Sequence, residues 1–324
     1  MVGRNVVKRS TALWLCLALI TMLFGILGQF GSDTTEAAGS SYTLDDHWLH
    51  VSPGEHVGTV TSVDFDAKGV MYLFRRCDPD CLHPKEGDPP SRIWAFDSKG
   101  TFLREVGQKI AKEGHSLRVD RSGFIWTTDV QGHQVKKFRA DGTLLMTLGS
   151  GIPGDGLDTF NMPTDVVVAP NGDVFVTDGY KNQRVMKFNK DGKFIKTWGT
   201  KGTEPGQFRV PHGIVQDSRG RIIVADRCGS TTAGNAGCTD NKIQVFDTDG
   251  KFLDQWPHLR AVSLYITKDD KLYVSGDGKI SIADARTGKV LDTIEKAGGH
   301  GIAVDPAGNV YTAGNQAGLK RYAR

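Results

Sequence analysis

The sequence lacks a strong charge imbalance and, beyond residue 40, any long amphipathic helical pattern. Its formal net charge is only +3 over 324 residues, and the charged side chains are evenly spread, so a nucleic-acid partner is not expected. Proline is scarce, with 12 residues against 40 glycines, and a glycine excess suits the tight turns of an all-β fold. These absences predict a globular β protein that binds no nucleic acid.

Long hydrophobic runs are also missing, with one exception at the N-terminus. Three basic residues precede the uncharged run Thr11–Phe30, and a basic segment followed by an apolar one is typical of a secretory signal. Small residues near Ala37 and Ala38 offer a cleavage site, but the run is also long enough to stay as an anchor. We therefore expect residues 1–38 to be a signal peptide or a membrane anchor through residues 11–30. The rest of the chain would then be secreted or periplasmic.

Cysteine is scarce as well, with five in the whole chain. Cys16 lies in the N-terminal run, and the other four are an even number, which suits disulfides in an exported protein. Three pairings are open, and the short spacings favour Cys77–Cys81 and Cys228–Cys238. A metal site is the alternative, but the glycine-rich stretch between Cys228 and Cys238 is a loop that a disulfide would tie down.

What the sequence does contain is an internal repeat. Stretches such as "TDVVVAPNGDVFVTD" and "HGIVQDSRGRIIVAD" recur six times, and most continue into two further short strands. Four-stranded units repeated radially form a β-propeller, so we predict an all-β fold, a six-bladed propeller over residues 43–324. Because the sixth unit lacks a fourth strand, we expect the N-terminal run Trp48–Val51 to complete that blade and close the ring. An open β-sandwich would not explain the regular period.

Histidine occupies one position of this repeat in every second unit. The first position of the innermost strand is histidine in blades two, four and six, namely His115, His212 and His300. In the odd blades the same position holds Thr61, Thr164 and Val262. Alternate blades of a six-bladed ring are about 120° apart, and the innermost strands line the central channel. The three imidazoles are therefore expected to converge on the axis.

Three neutral imidazoles in one channel invite a metal cation, because shared protons would bring like charges together. Three histidines with one open position are typical of catalytic zinc rather than of a closed structural site. We therefore predict a zinc ion held by His115, His212 and His300. The other histidines fall outside this register and are expected at the surface or in strand packing: His47, His50, His56, His83, His133 and His258.

With these histidines the sequence resembles peptidyl-α-hydroxyglycine α-amidating lyase, the lyase half of the peptidylglycine α-amidating system, which is built of NHL-type repeats. The resemblance covers residues 50–322. It is most specific in "GHSLRVDRSGFIWTTDVQGHQVKKF", "FNMPTDVVVAPNGDVFVTDGYKNQRVMKF", "GQFRVPHGIV" with "VADR", and "GHGIAVDPAGNVYTAG".

The resemblance implies a reaction, the cleavage of a peptidyl-α-hydroxyglycine into a peptide amide and glyoxylate. Tyr180 in "DGY" would be the general base, while Arg227 after "VAD" and Arg76 in "YLFRRCD" would line the pocket, with the adjacent Arg75 as the alternative to Arg76. Since a free tyrosine has a pKa near 10, a tyrosine base needs a cationic neighbour. Arginine supplies that charge and can also grip a carboxylate. The expected partner is a small peptide or another α-hydroxyglycine substrate.

The sequence also departs from the family pattern at several positions. The family places an acidic calcium ligand directly after its last zinc histidine, where this chain has Gly301, which argues against a calcium site of the same design. The family's methionine two residues before that histidine is Gly298 here, and no cysteine follows Tyr180.

Two other functions stay open at this point. A propeller lactonase or related hydrolase would hold a different metal, usually calcium through carboxylate and asparagine ligands. A non-catalytic extracellular NHL module would bind protein or glycan and would leave the three histidines unexplained. The sequence leaves the oligomeric state open.

Overall fold

The computed structural model describes residues 41–51, 56–77, 83, 90–228, 240–314 and 318–324. In that part of the chain every regular element is a β-strand, and the 24 strands form six sheets of four. The predicted all-β, six-bladed propeller is therefore confirmed. Among the same residues, no helix is long and apolar enough to cross a membrane. Residues 1–38 lie outside the described ranges, so their role as signal or anchor stays a prediction.

The strands run in chain order from the inside to the outside of each blade, except that the first strand, β1 (Thr43–Asp45), joins the last blade. Blade one contains β2 (Thr59–Phe65), β3 (Met71–Cys77), β4 (Ser91–Phe96) and β5 (Phe102–Ala111). Blade two contains β6 (Gly114–Val119), β7 (Ile125–Asp129), β8 (Gln134–Phe138) and β9 (Leu144–Leu148). Blade three contains β10 (Asp165–Val168), β11 (Val174–Asp178), β12 (Arg184–Phe188) and β13 (Phe194–Trp198).

The second half of the ring repeats this order. Blade four contains β14 (Pro211–Gln216), β15 (Ile222–Asp226), β16 (Lys242–Phe246) and β17 (Phe252–Trp256). Blade five contains β18 (Ser263–Ile266), β19 (Lys271–Gly276), β20 (Lys279–Asp284) and β21 (Val290–Ile294). Blade six contains β22 (Gly301–Val304), β23 (Val310–Gly314), β24 (Gly318–Ala323) and the outer strand β1. The innermost strands contact one another around the ring, and β22 contacts β2.

A recurring turn explains why these strands pair as hairpins. In the first such turn, Gly69 donates its backbone N–H to Asp66 O at 3.0 Å. The Asp66 carboxylate accepts the N–H groups of Lys68 and Val70, both at 2.9 Å. Gly69 has φ of +81°, which glycine adopts without the Cβ penalty of other residues. Turns of the same kind end at Gly100, Gly123, Gly192, Gly220, Gly250 and Gly308.

Apolar side chains pack between neighbouring blades. Phe74 and Ile93 of blade one, for example, lie in one buried cluster with Leu117 and Ile125 of blade two. Six such clusters, one at each junction between blades, occur among the described residues. Because both faces of a strand are buried, the strands read as apolar runs rather than as alternating patterns; β15, "IIVAD", is buried at every position.

The ring closes through an N-terminal strand, but the strand is not the one expected. The ladder with β24 is formed by β1, with Thr43 opposite Ala323 and an Asp45–Arg321 ion pair at 2.8 Å. The chain bends at residues 46 and 47, so the ladder ends before the predicted run Trp48–Val51. That run instead lies beside blade one, where His50 accepts and donates backbone hydrogen bonds at the turn before β5.

Candidate metal centre

The three repeat histidines stand at the inner ends of blades two, four and six. His115 and His212 lie in the first residues of β6 and β14, and His300 directly precedes β22. Each Nδ1 is hydrogen-bonded to the backbone carbonyl at the same repeat position of the following blade. The distances are 2.6 Å from His115 to Thr164, 2.8 Å from His212 to Val262, and 3.0 Å from His300 to Thr61.

These three hydrogen bonds fix the tautomer of the imidazoles. A carbonyl oxygen can only accept, so each Nδ1 carries the proton and each Nε2 presents a lone pair. A metal-ligating histidine usually donates its other ring nitrogen in this way, and the donation both orients the ring and raises its basicity. The odd blades thus supply the acceptors that orient the ligands of the even blades.

The free nitrogens converge on the axis. The Nε2 atoms of His115 and His300 are 3.1 Å apart, and the ligand atoms of all three histidines lie within 4.8 Å of one another. Nitrogens around a tetrahedral zinc ion are about 3.3 Å apart when each Zn–N bond is 2.0–2.1 Å. Three facing lone pairs repel one another unless a cation lies between them, so the donor set fits a metal ion. Among the described residues, these histidines are the one group of three or more His, Cys, Asp or Glu side chains close enough together to hold a metal ion.

Burial keeps the histidines in the neutral form that binds metal. Burial, followed by the positive charge of Arg76, lowers the pKa of His300 to about 3. Burial also lowers the pKa values of His115 and His212 well below their usual range. At physiological pH the site therefore presents three neutral imidazoles.

Tyr180 lies directly against this group. Its hydroxyl is 3.0 Å from His115 Nε2 and 3.3 Å from His212 Nε2. Burial raises the pKa of Tyr180, while Arg227 and Arg76 act in the opposite direction. The cationic neighbours that a tyrosine base needs are thus present, but in the protein alone burial outweighs them.

Arg227 extends beside Tyr180 from the end of β15. Its Nη2 lies 3.5 Å from the Tyr180 hydroxyl, and its backbone N–H is held by Val210 O at 3.0 Å. The Nε of Arg227 is buried and has no hydrogen-bond partner among the described residues. A buried donor of this kind is costly unless a ligand satisfies it, so Arg227 offers a place for an anionic or carbonyl group.

The two adjacent arginines of blade one point to different places. Arg76 is 3% exposed, donates its Nε–H to Gly114 O at 3.0 Å and pairs with Glu113 at 3.5 Å. Arg75 donates to the carbonyls of residues 56 and 57 and stacks on Trp94 at 3.7 Å. Arg76 is therefore the one that lies beside the histidine-bearing strand β6 and acts electrostatically on the axial histidines.

Sequence reasoning missed residues that support this site. Glu113 is a buried counter-charge to Arg76, and its Oε2 has no hydrogen-bond partner among the described residues. His133 accepts the backbone N–H of Met162 at 3.2 Å, and Met162 O accepts the N–H of Tyr180 at 3.4 Å. Met162 has φ of +65°, a conformation that a non-glycine residue adopts only when its surroundings hold it. His133 thus has a role in holding the Tyr180 turn that its position in the repeat did not indicate.

The predicted disulfides involve residues that are not described. Cys81 and Cys238 lie outside the described ranges, so both pairings stay predictions. Of the remaining histidines, His83 lies 3.0 Å from Glu113, and His258 donates to Gly288 O at 2.8 Å.

Comparisons with known proteins add to this geometry. Residues 160–188 and 208–231, in blades three and four, match the model of the NHL repeat family, so the chain is a six-bladed propeller that contains NHL repeats and a candidate metal centre. The chain is similar in sequence to amidating lyases. It is 30% identical over 205 residues to a probable peptidyl-α-hydroxyglycine α-amidating lyase of Caenorhabditis elegans, covering 54% of this chain and 55% of that protein.

A second relative is larger. The chain is 35% identical over 224 residues to peptidyl-glycine α-amidating monooxygenase B of Xenopus laevis, covering 62% of this chain and 24% of that protein. The chain therefore spans a little over half of the first relative and about a quarter of the second. Among solved structures, a gluconolactonase of Xanthomonas campestris matches with a TM-score of 0.57 at 14% identity, covering 82% of this chain and 86% of that one. At that identity the match shows the propeller fold alone.

Proposed function

We propose that this protein is an exported, zinc-dependent lyase that cleaves a peptidyl-α-hydroxyglycine into a peptide amide and glyoxylate. The observation that carries the proposal is the convergence of three Nε2 lone pairs with a tyrosine hydroxyl 3.0 Å from one of them. The homology to amidating lyases supports the same reaction class.

His115, His212 and His300 would hold the zinc ion. Three histidines with an open position suit a catalytic rather than a structural zinc. When bound, zinc would supply Lewis acidity toward the substrate hydroxyl and positive charge beside Tyr180.

The chain's own residues account for the movement of one proton. Tyr180 in its phenolate form would accept the proton of the substrate α-hydroxyl as that hydroxyl oxygen becomes the aldehyde oxygen of glyoxylate. The carbon–nitrogen bond then breaks, and the amide nitrogen gains a proton that Tyr180 can return. No atom is gained or lost overall, so one group that first accepts and then donates a proton suffices.

The arginines are suited to hold the substrate during this exchange. Arg227 presents a buried, unsatisfied Nε–H next to the Tyr180 hydroxyl, and a guanidinium matches a carboxylate in geometry and charge. Arg76 adds positive charge at the same side of the histidines, although Glu113 offsets part of it.

The direct test is an assay of purified protein on a peptide that ends in α-hydroxyglycine. We expect glyoxylate and the shortened amide above a no-enzyme control, because such peptides also decay on their own. Elemental analysis should find about one zinc per chain, and His212→Ala should lose both the metal and the activity. Lactone hydrolysis that depends on calcium would instead indicate a hydrolase, and a protein without metal or activity would indicate a binding module.

Export is the second part of the proposal. Its support is the apolar run of residues 11–30 after a basic segment and the even number of cysteines beyond it. Cell fractionation should place the full chain outside the cytoplasm and a variant lacking residues 1–38 inside it. Peptide mapping of the exported protein without reductant should find Cys228 linked to Cys238; free thiols at these positions would contradict the pairing.

A further inference from the structure

A small cavity lies on the propeller axis next to the three histidines. It measures about 20 Å³ and is lined by residues from all six blades. Besides the histidines, its lining includes Ser62, Ser116, Asp165, Ser263 and Gly301. These residues follow the histidine position along the innermost strands, so the cavity lies further along the channel than the metal centre. Tyr180 and the pocket arginines are not part of its lining.

A guanidinium group also lines this cavity. Arg118 of β6 clamps Asp165 of β10 with two hydrogen bonds, Nε to Oδ1 at 3.0 Å and Nη2 to Oδ2 at 2.5 Å. The same Nη2 donates to Leu264 O at 2.9 Å. Arg118 therefore connects blades two, three and five across the channel, and its side chain is only 15% exposed.

Asp165 is fully engaged in this network. Besides Arg118, its carboxylate accepts the Ser116 hydroxyl at 2.5 Å, its neighbour's N–H at 2.8 Å and the N–H of Ile214 at 3.1 Å. A buried carboxylate is costly unless it is paired and hydrogen-bonded, and here both conditions are met by protein groups. The network thereby extends to blade four.

The resemblance to amidating lyases implies a calcium ion at this level, with an acidic ligand after the last histidine. The residues present do not fit that ion. A Cβ at Gly301 would lie 2.6 Å from Thr61 O and 2.8 Å from Ser62 Cα, so the backbone leaves no room for a carboxylate there. Calcium needs six to eight oxygen ligands at 2.3–2.6 Å, whereas Asp165 is already bound to Arg118. A second cation would also lie against a guanidinium.

We propose that the guanidinium of Arg118 is a built-in axial cation that takes the place of this second metal ion. It provides the positive charge that Asp165 requires and joins the inner strands of several blades, as a shared metal ion would. The protein would then bind a metal only at the three histidines, and its stability would not depend on calcium. This inference does not rest on the lyase activity.

The first measurement is made on the wild-type protein. After dialysis against millimolar calcium and then calcium-free buffer, elemental analysis should find no calcium above the buffer blank. Its melting temperature should be the same in millimolar calcium and in a calcium-selective chelator. Retained calcium, or a melting temperature that rises with calcium, would overturn the proposal.

The second measurement replaces the internal cation. Arg118→Met should lower the melting temperature by about 5–10 °C, because it leaves a buried carboxylate without its partner. Millimolar calcium should raise the melting temperature of this variant, since the freed Asp165 carboxylate then faces the cavity. A variant as stable as the wild type, or one that calcium does not stabilise, would show that Arg118 does not stand in for a metal ion.

A matched control separates this role from the general cost of losing a buried ion pair. Arg221 pairs with Asp217 at 2.7 Å, and its side chain is 16% exposed, much like Arg118, but it lies at a turn of blade four. Arg221→Met should also lower the melting temperature, with no recovery in calcium. If Arg118→Met does not fold, Arg118→Lys retains a positive charge and should stay folded and insensitive to calcium; stabilisation of the lysine variant by calcium would contradict the proposal.

Discussion

Tyr180 is the single residue on which the proposed chemistry depends most. Its hydroxyl lies within 3.3 Å of two histidine nitrogens, so Tyr180→Phe removes the proton-transferring group with almost no change in volume. Loss of a general base typically costs about 10²–10⁴ in rate. We expect kcat to fall by that amount while the zinc content, measured by elemental analysis, stays that of the wild type.

A tyrosine remote from the axis supplies the control for this variant. The Tyr42 hydroxyl lies 3.5 Å from that of Tyr273. Tyr42 directly precedes the outer strand β1 and packs against the apolar cluster between blades five and six. Tyr42→Phe should keep full activity. A Tyr180→Phe protein that retained both zinc and wild-type kcat would exclude Tyr180 as the base.

Arg227 should act on substrate binding. Because a hydrogen bond to a charged group contributes about 1.5–3 kcal/mol, Arg227→Ala should raise KM for a carboxylate substrate roughly 10- to 100-fold. Steady-state kinetics on a hydroxyglycine peptide would measure this. Arg286→Ala, which removes an exposed pair with Asp284, should leave KM unchanged. A large loss in kcat at constant KM would assign Arg227 to the chemical step instead.

The site residues differ in how well the sequence alone predicts their positions. The positions of the histidines could be predicted because the repeat puts one residue per blade at the same level of the channel. The choice between Arg75 and Arg76 could not be predicted, because the pairing of β2 with β3 shifts register twice beside them, between Thr59 and Ser62. Such bulges break the alternation by which a strand assigns its side chains to two faces.

At the scale of elements, two outer strands end in a tryptophan that packs against a turn of the next blade, Trp198 of β13 and Trp256 of β17. A Cβ at Gly250 would lie 2.5 Å from the Trp198 ring, and one at Gly288 would lie 2.5 Å from the Trp256 ring. At Gly100 it would lie 2.2 Å from Trp48 O and 3.1 Å from the Trp48 ring. Trp48 therefore packs against a turn of blade one as these two tryptophans pack against the blades that follow them, even though β1, the strand that pairs with β24, ends at Asp45.

This packing gives a test of the closure. Gly100 and Gly69 both have φ of +81°, but a Cβ at Gly69 meets nothing within 4 Å. Gly69→Ala should therefore cost only the backbone strain, about 1 kcal/mol, whereas Gly100→Ala should cost a further 1–3 kcal/mol through the clash with Trp48. Chemical denaturation of both variants would measure the difference. Equal losses would show that the Trp48 segment does not hold the closure.

At the scale of the whole molecule, the ring followed from the repeat, but the contacts across it did not. The repeat predicted six blades because each unit presents the same strands and turns. Glu113 of blade two pairs with Arg76 of blade one. The His133 side chain of blade two accepts the backbone N–H of Met162 in blade three, which in turn accepts the backbone N–H of Tyr180. No local pattern encodes such contacts, and the positive φ of Met162 runs against the preference of its residue type.

The inner walls of the blades also bury carboxyl groups that tie folding to pH. Burial raises the pKa of Asp64 in blade one and of Asp226 in blade four to about 6 each. An unfolded aspartate has a pKa of about 3.9, so between about pH 4 and 6 the folded state binds protons more tightly. The stability these groups contribute is therefore full below about pH 4 and is lost as the pH rises through 6.

Asp64→Asn tests this dependence through the difference in melting temperature between the wild type and the variant at different pH values. The wild type should exceed the variant in melting temperature by more at pH 4.5 than at pH 7.5, with the gap changing by up to about 5 °C. The difference between the two proteins matters because the axial histidines also make stability depend on pH. Burial lowers their pKa values, so the stability that they contribute is lost as the pH falls, in both proteins alike.

Asp141→Asn is the control. Asp141 is exposed, and hydrogen bonds from Thr143 lower the pKa of its carboxyl, so the difference in melting temperature between the wild type and this variant should not widen in acid. A gap for Asp64→Asn that stayed constant from pH 4.5 to 7.5 would mean that Asp64 ionises as readily in the folded chain as in the unfolded one.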